Sequence, residues 1–335
     1  MRPAARRIAA TLPLLAALGP PLAAQETHLL VVSGLGGEPE YSERFVEWGL
    51  AMTEAAREAG VPEANVQFLA EDPGAAPGRI DGRSEREAVE RAFAGLAADT
   101  APDDRILVLL IGHGGGAGED SRVSMPGRSL RASEYRELVG ALAPRTVAVV
   151  NLASASGDFV PALSGEGRIV VTATRSSRQR NAALFGGYFV EAYGGADADT
   201  DRDGRISLLE AFEYARIETD RYYADRGLIA SETALLEDRI EGRGEPEPGG
   251  DPGVGQLAAR FFLESAVPAE IAGDDPSSER LRALYGEQAR LEDEVARLRQ
   301  AEGSMTAEAY RAALEALLVA LAETGAEIRA LEAEP

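Results

Sequence analysis

Six apolar residues follow one another from Ile106 to Ile111, and the run stops against Gly112-His113-Gly114-Gly115-Gly116. A strand that is apolar at every position is buried on both faces. It therefore belongs in the middle of a parallel sheet covered by helices on each side, rather than in a half-solvated antiparallel sheet. The glycines let the chain turn sharply and let another group approach its backbone. They leave one imidazole at the carboxyl end of a central strand, where open α/β sheets bind ligands. The chain has two histidines, and the second, His28, opens the apolar run HLLVV. A glycine-flanked histidine can also serve only to cap a turn, so the weight of His113 depends on what lies beside it.

The rest of the chain repeats the same unit. His28–Ser33 reads as a first strand, followed by the loop Gly34-Leu35-Gly36-Gly37. Phe45, Trp48, Met52 and Ala56 recur at helical spacing between Tyr41 and Gly60, and Asn65–Ala70 is a second strand. Ser84 and Glu87 have the spacing of a capping box before a helix carrying Val89, Phe93 and Leu96. After the central strand, Ser133 is expected to cap a helix with Tyr135, Leu138, Val139 and Leu142. Thr146–Leu152 and Arg168–Ala173 are further strands, and Ala182–Tyr193 is a helix. About five strand–helix alternations imply a mostly parallel sheet wrapped by helices.

Two strands end in groups that can do chemistry. The central strand ends at His113, and the next ends in Ala153-Ser154-Ala155-Ser156-Gly157, with Ser154 placed 41 residues after His113. If these strands are neighbours, a hydroxyl and an imidazole share one crevice. A serine hydroxyl needs such a base to act as a nucleophile, and a backbone amide such as that of Gly114 can hold a developing oxyanion. Ser156 is a second hydroxyl there, expected to cap a helix from Asp158.

Gly112-His113-Gly114 after one strand and Ser154-Ala155-Ser156-Gly157 after the next resemble the dyad pattern of the caspase-like (clan CD) cysteine peptidases, in particular bacterial relatives of the legumain-type family. The resemblance spans roughly residues 27–240. It implies a caspase-like fold and a peptidase-like hydrolase with His113 as base and position 154 as nucleophile. The chain departs from the family pattern at three places. Ser154 stands where the family has cysteine, and the chain contains no cysteine. Leu35 occupies the loop in which the family carries a histidine-orienting asparagine. Leu152 stands where the family has a pocket-shaping glutamate, so the family preference for asparagine or aspartate does not carry over. Two functions follow: a Ser–His acyl hydrolase, or a catalytically silent domain that binds a peptide or protein.

Residues 1–24 have a basic start, an apolar stretch and small residues ending at Ala24, the pattern of a cleavable secretory signal; a periplasmic or secreted protein is expected. No later run reaches the length of a membrane span. The net charge of −22 argues against nucleic acid as a partner.

Asp199–Glu210, DTDRDGRISLLE, fits an EF-hand loop. Asp199, Asp201 and Asp203 fill positions 1, 3 and 5, Gly204 position 6, the Arg205 carbonyl position 7, Ser207 position 9 and Glu210 position 12, which implies calcium. A lone loop of this kind suits a structural clamp better than a switch. Residues 245–276 read as a linker with one short helix at Leu257–Leu263. From 277 onward Leu281, Leu284, Leu291, Val295 and Leu298, then Tyr310, Leu314, Leu317, Leu321, Ile328 and Leu331, follow heptad spacing. They predict a helical hairpin that packs on the domain or self-associates. The expected whole is a caspase/legumain-like α/β domain over 25–244, one calcium loop and a C-terminal hairpin.

Overall fold

The computed structural model describes residues 25–102, 104–143, 145–248, 253–264, 271, 276–300 and 305–333. The expected signal segment 1–24 lies outside them, as do parts of the expected linker.

Seven strands form one sheet in the order β3-β2-β1-β4-β7-β8-β9. They are β1 (Thr27–Ser33), β2 (Val66–Ala70), β3 (Gly82–Arg83), β4 (Arg105–Ile111), β7 (Thr146–Asn151), β8 (Arg168–Thr172) and β9 (Leu235–Glu237). All neighbours are parallel except β8 and β9. The short β5 (Gly114–Gly115) and β6 (Arg122–Val123) form a separate antiparallel ribbon.

Alternation along β4 assigns the helices to layers. Leu107, Leu109 and Ile111 pack with Phe45 and Met52 of α1 (Pro39–Glu58), Phe185 and Phe189 of α5 (Phe185–Ala192), and Phe212 of α6 (Leu208–Asp225). Ile106, Val108 and Leu110 pack on the opposite face with Phe93 of α2 (Arg86–Asp99), Tyr135 of α3 (Ala132–Gly140) and Phe159 of α4 (Phe159–Leu163). Every β4 residue is buried, as an uninterrupted apolar run requires in a sheet covered on both faces. The chain leaves β1 toward β2 on one side and returns to β4 on the other. The crevice between the carboxyl ends of β1 and β4 is therefore the topological switch point. Register brings the strand ends level: Ser33 faces Ile111, Leu110 faces Asn151, and Asn151 faces Thr172.

Four local expectations are corrected. The Ser84 hydroxyl donates to the Ser33 carbonyl at 2.6 Å instead of capping α2. Pairing of Gly82–Arg83 with β2 keeps that segment extended, and the helix begins at Arg86. Ser133 lies inside the first turn of α3 and does not cap it. Arg131 bridges Arg122 in extended backbone and is the N-cap, with its N–H held by the Glu134 carboxylate at 2.9 Å. Ser156 does not cap α4; its hydroxyl is bonded to Thr174. Leu257–Leu263 holds only a single 3-10 turn, Ala258–Arg260. The chain beyond is drawn out because the Phe261 carbonyl accepts from Leu208 N at 2.8 Å and Phe262 bridges Ser207.

The tail is two long helices, α7 (Pro276–Gln300) and α8 (Ala307–Glu332), packed side by side. Leu284, Leu291 and Val295 of α7 and Ile328 of α8 are buried. Arg280 of α7 pairs with Glu327 of α8 at 2.7 Å. Gly303-Ser304, expected to separate the two runs, lies outside the described residues. No helix among the described residues is long and apolar enough to cross a membrane.

Candidate functional site

His113 and Ser154 lie at the carboxyl ends of β4 and β7, which are adjacent in the sheet. The topology places the two residues at neighbouring strand ends, while the printed contacts of the imidazole all lie on the β1 and α1 side. The His113 ring is half-buried and wedged edge-on between two α1 aromatics, Tyr41 with ring centroids 4.7 Å apart and Phe45 at 5.2 Å. Its Nε2 lies 3.1 Å from the Gly36 carbonyl oxygen. A carbonyl can only accept, so Nε2 carries the proton of this bond. In the neutral ring the other nitrogen, Nδ1, then keeps its lone pair, which is what a base requires.

Ser154 is buried, with 3% of its surface exposed. Its Oγ accepts from Gly114 N at 3.2 Å, and among the described residues no hydrogen bond joins it to His113. The hydroxyl proton is left without a described acceptor. The expected oxyanion donor, Gly114, therefore holds the hydroxyl itself in this geometry. The contact is possible because Gly114 has no side chain: a Cβ there would overlap the Ser154 carbonyl.

The turn after Ser154 is strained and clamped. Ala155 has φ +52°, a left-handed conformation that costs an alanine about 1 kcal/mol or more. It persists because its neighbours leave no alternative. Ala155 N donates to the Gln179 carbonyl at 2.7 Å, and Ser156 N donates to the Thr174 hydroxyl at 2.7 Å. Gly157 lies against the Arg175 backbone so closely that a Cβ would overlap it. Backbone strain of this kind is a recurrent feature of functional sites.

The Gly34–Gly37 loop meets His113 from the β1 side. Gly34 N donates to the Ile111 carbonyl at 2.8 Å and Leu35 N to the Ser124 carbonyl at 2.9 Å. Gly36 N donates to the Glu71 carboxylate at 3.1 Å, which also accepts from the Ser42 hydroxyl at 2.9 Å. Sequence reasoning missed Gly36, Tyr41 and Glu71 as site residues. Phe45 reads as part of a helix face with Trp48, Met52 and Ala56, Tyr41 reads only as the start of that stretch, and a carbonyl contributes no residue type to recognise. His28, at the amino end of β1, is buried beside Asp104 at 3.5 Å, at the opposite end of the sheet from His113.

The acidic loop forms a second centre. Ligand atoms of Asp199, Asp201 and Asp203 lie within 4.8 Å of one another, a group that can hold a metal ion. The turn is internally braced: Asp199 accepts from Asp203 N at 3.1 Å and Gly204 N at 3.0 Å, and Asp203 accepts from Arg205 N at 2.8 Å. Gly204 has φ +85°, which suits the glycine at the loop's sixth position. Burial pushes the Asp201 carboxyl up, and the charges of Asp203, Glu210 and Asp199 add to it. Burial also acts upward on Glu210, but hydrogen bonds from Ser207 and Thr200 outweigh it and hold that carboxyl below its usual range. Glu210 and Ser207 cap α6 reciprocally: Ser207 N donates to the carboxylate at 2.9 Å, and Glu210 N donates to the hydroxyl at 3.2 Å. The three aspartates offer oxygen ligands that are all anionic, which fits a hard divalent cation; Glu210 is not in this group, and its two carboxylate oxygens accept from Thr200 N and Ser207 N. Position 7 reaches the tail: the Arg205 guanidinium sits over the Phe262 ring at 3.6 Å and pairs with Glu292 of α7 at 3.3 Å.

No protein-family model matches the chain, and no curated protein matches it. Among solved structures it is similar to a structural-genomics protein from Geobacter sulfurreducens, over 67% of this chain and 96% of that one, with 14% sequence identity and a TM-score of 0.42.

Proposed function

We propose that the chain is an exported, peptidase-like acyl hydrolase in which Ser154 is the nucleophile and His113 the general base. One observation carries the reading. The bond from His113 Nε2–H to the Gly36 carbonyl leaves Nδ1 as the basic nitrogen, at the end of the strand next to the one that delivers Ser154. In the reaction Nδ1 takes the Ser154 proton as Oγ attacks an ester or amide carbonyl carbon. The tetrahedral oxyanion collapses, and the leaving alcohol or amine departs with the proton returned by His113. Water then repeats the sequence on the acyl-serine and releases the acid. Gly114 N–H, bonded to Oγ at 3.2 Å at rest, becomes a donor to the oxyanion as Oγ moves toward the substrate. This is the chemistry that the resemblance to caspase-like and legumain-type peptidases implies, with serine in the cysteine position.

The acidic loop is read as a calcium site. Asp199, Asp201, Asp203, the Arg205 carbonyl, Ser207 and Glu210 would hold the ion, and its charge would relieve the repulsion among the carboxylates.

The burial of Ser154, 3% exposed, favours a second reading, a silent domain that binds a peptide or protein and is braced by calcium. Labelling with a serine-directed acylating probe separates the two. Wild type is expected to be labelled at Ser154, while Ser154→Ala and His113→Gln are not. Equal labelling of wild type and Ser154→Ala would defeat the enzyme reading.

A further inference from the structure

Glu71 follows β2 immediately, at the level where β1 gives way to the Gly34–Gly37 loop. One carboxylate oxygen collects two donors, Gly36 N–H at 3.1 Å and the Ser42 hydroxyl at 2.9 Å. It thereby staples the β1 loop to the first turn of α1. The staple has no slack. A Cβ at Gly36 would overlap the backbone and hydroxyl of Ser42, so the loop lies flat on the helix. The carbonyl of this same Gly36 receives the His113 imidazole at 3.1 Å. Leu35 offers no side-chain group that could orient a histidine.

We propose that Glu71 is the positioning residue of the site: it fixes Gly36, and the fixed Gly36 carbonyl selects the His113 tautomer that leaves Nδ1 basic. This rests on the Ser154–His113 reading above and assigns the orienting role to an acid from a different strand. Hydrogen bonds to a carboxylate are among the strong ones, so one carboxylate that gathers two donors can hold a loop otherwise rich in glycine. Releasing the carbonyl by an ångström would spoil the alignment of the base, an error worth on the order of a hundredfold in rate.

The test does not depend on turnover, because the chain has only two histidines. Long-range proton–nitrogen NMR on histidine-labelled full-length protein reports both rings, and His28→Gln assigns them. Wild type and Glu71→Gln, whose amide oxygen still accepts, are expected to show His113 as the Nε2–H tautomer. Glu71→Ala is expected to show averaging between the two tautomers and a tenfold or greater fall in acylation by the serine-directed probe. An unchanged His113 tautomer in Glu71→Ala overturns the proposal, whatever the labelling. If Glu71→Ala loses the tautomer but no protein is labelled, the positioning role stands and the hydrolase reading fails. If Glu71→Ala does not fold by circular dichroism, Glu71→Asp replaces it. That carboxylate falls one methylene short, partial averaging is expected, and an unchanged signature again overturns the proposal.

Discussion

The contact between Gly114 and Ser154 is the most exacting feature of the site, and adding one methyl group tests it. In Gly114→Ala the new Cβ would lie 1.8 Å from the Ser154 carbonyl oxygen and 3.0 Å from its carbon, both backbone atoms. Ordinary contact begins at 3.4 Å, so the two segments must part by about 1.6 Å. Neither side yields easily. Ser154 is bracketed by the strained Ala155 turn, and Gly114 pairs with Val123 in the β5–β6 ribbon. Overpacking of this kind costs about 1–3 kcal/mol, which corresponds to roughly 3–10 °C in melting temperature for a domain of this size. The bond from Gly114 N to Ser154 Oγ, already 3.2 Å long, would not survive the separation. Acylation of Ser154 should therefore fall by about a hundredfold. Gly115→Ala is the matched control, because a Cβ there meets nothing within 4 Å. It should melt within about 0.5 kcal/mol of wild type and label normally. Thermal melts followed by circular dichroism, together with probe labelling, read both quantities. A Gly114→Ala protein that melts like Gly115→Ala and labels like wild type would refute the close approach of the two backbones.

Three further outcomes are expected. Calcium at a hundredfold excess over its dissociation constant should stabilise the wild type by about 2.7 kcal/mol against a chelated control. Asp199→Asn and Glu210→Gln should lose that shift, and a wild type indifferent to calcium would refute the calcium loop. The Arg86 guanidinium, 2.8 Å from Glu134, holds that carboxyl near about 2, below its ordinary 4.5. A lowered carboxyl stabilises the fold above pH 4.5 and withdraws that stability as pH falls toward 2. Full linkage would be about 3 kcal/mol, and the one-fifth exposure of the side chain brings the expected loss to about 1–2 kcal/mol. In urea unfolding the drop in stability from pH 6 to pH 3 should be larger in wild type than in Glu134→Gln by this amount, because Asp104, Glu210 and Glu287 are also held low and contribute to both proteins. Finally, α8 exposes Leu318 and Val319, each about half accessible. If this face joins two chains, the full chain should scatter light as a dimer and the double variant Leu318→Glu/Val319→Glu as a monomer; a monomeric wild type would rule out self-association.

The middle of the sheet is legible because its central strands have continuous apolar interiors, whereas the short edge strands β3 and β9 carry no such run. Ile106–Ile111 has no polar face, so only a doubly covered position suits it, and the same logic placed β1, β7 and β8. Helix starts were harder, because caps were read from serine spacing alone. Ser84, Ser133 and Ser156 each had the right neighbours in sequence, yet each segment was held extended or redirected by a tertiary bond that spacing does not encode. The tail's two helices were legible from heptads that extend to Leu331, while the single turn at Ala258–Arg260 was mistaken for a helix. Its apolar run is short, and the pairing of Phe261–Phe262 with Ser207–Leu208 is nonlocal.

The same distinction explains why the site was half visible. Candidate side chains announce themselves by residue type and spacing, as His113, Ser154 and the Asp199–Glu210 loop do. What orients them is mostly main chain: the Gly36 carbonyl on the imidazole, the Gly114 amide on the hydroxyl, the Gln179 carbonyl on the Ala155 turn. Main-chain groups are common to every residue, so the sequence marks them only by what must be missing. Gly36, Gly114 and Gly157 are glycines because a Cβ at each would overlap a neighbouring backbone. Their places follow β1, β4 and β7, the strand ends from which His113 and Ser154 also come. Glycine clusters after apolar strands are thus most usefully read as contact points between loops. On that reading Gly36 marks a close approach, and the structure supplies its partners, Ser42, Glu71 and His113.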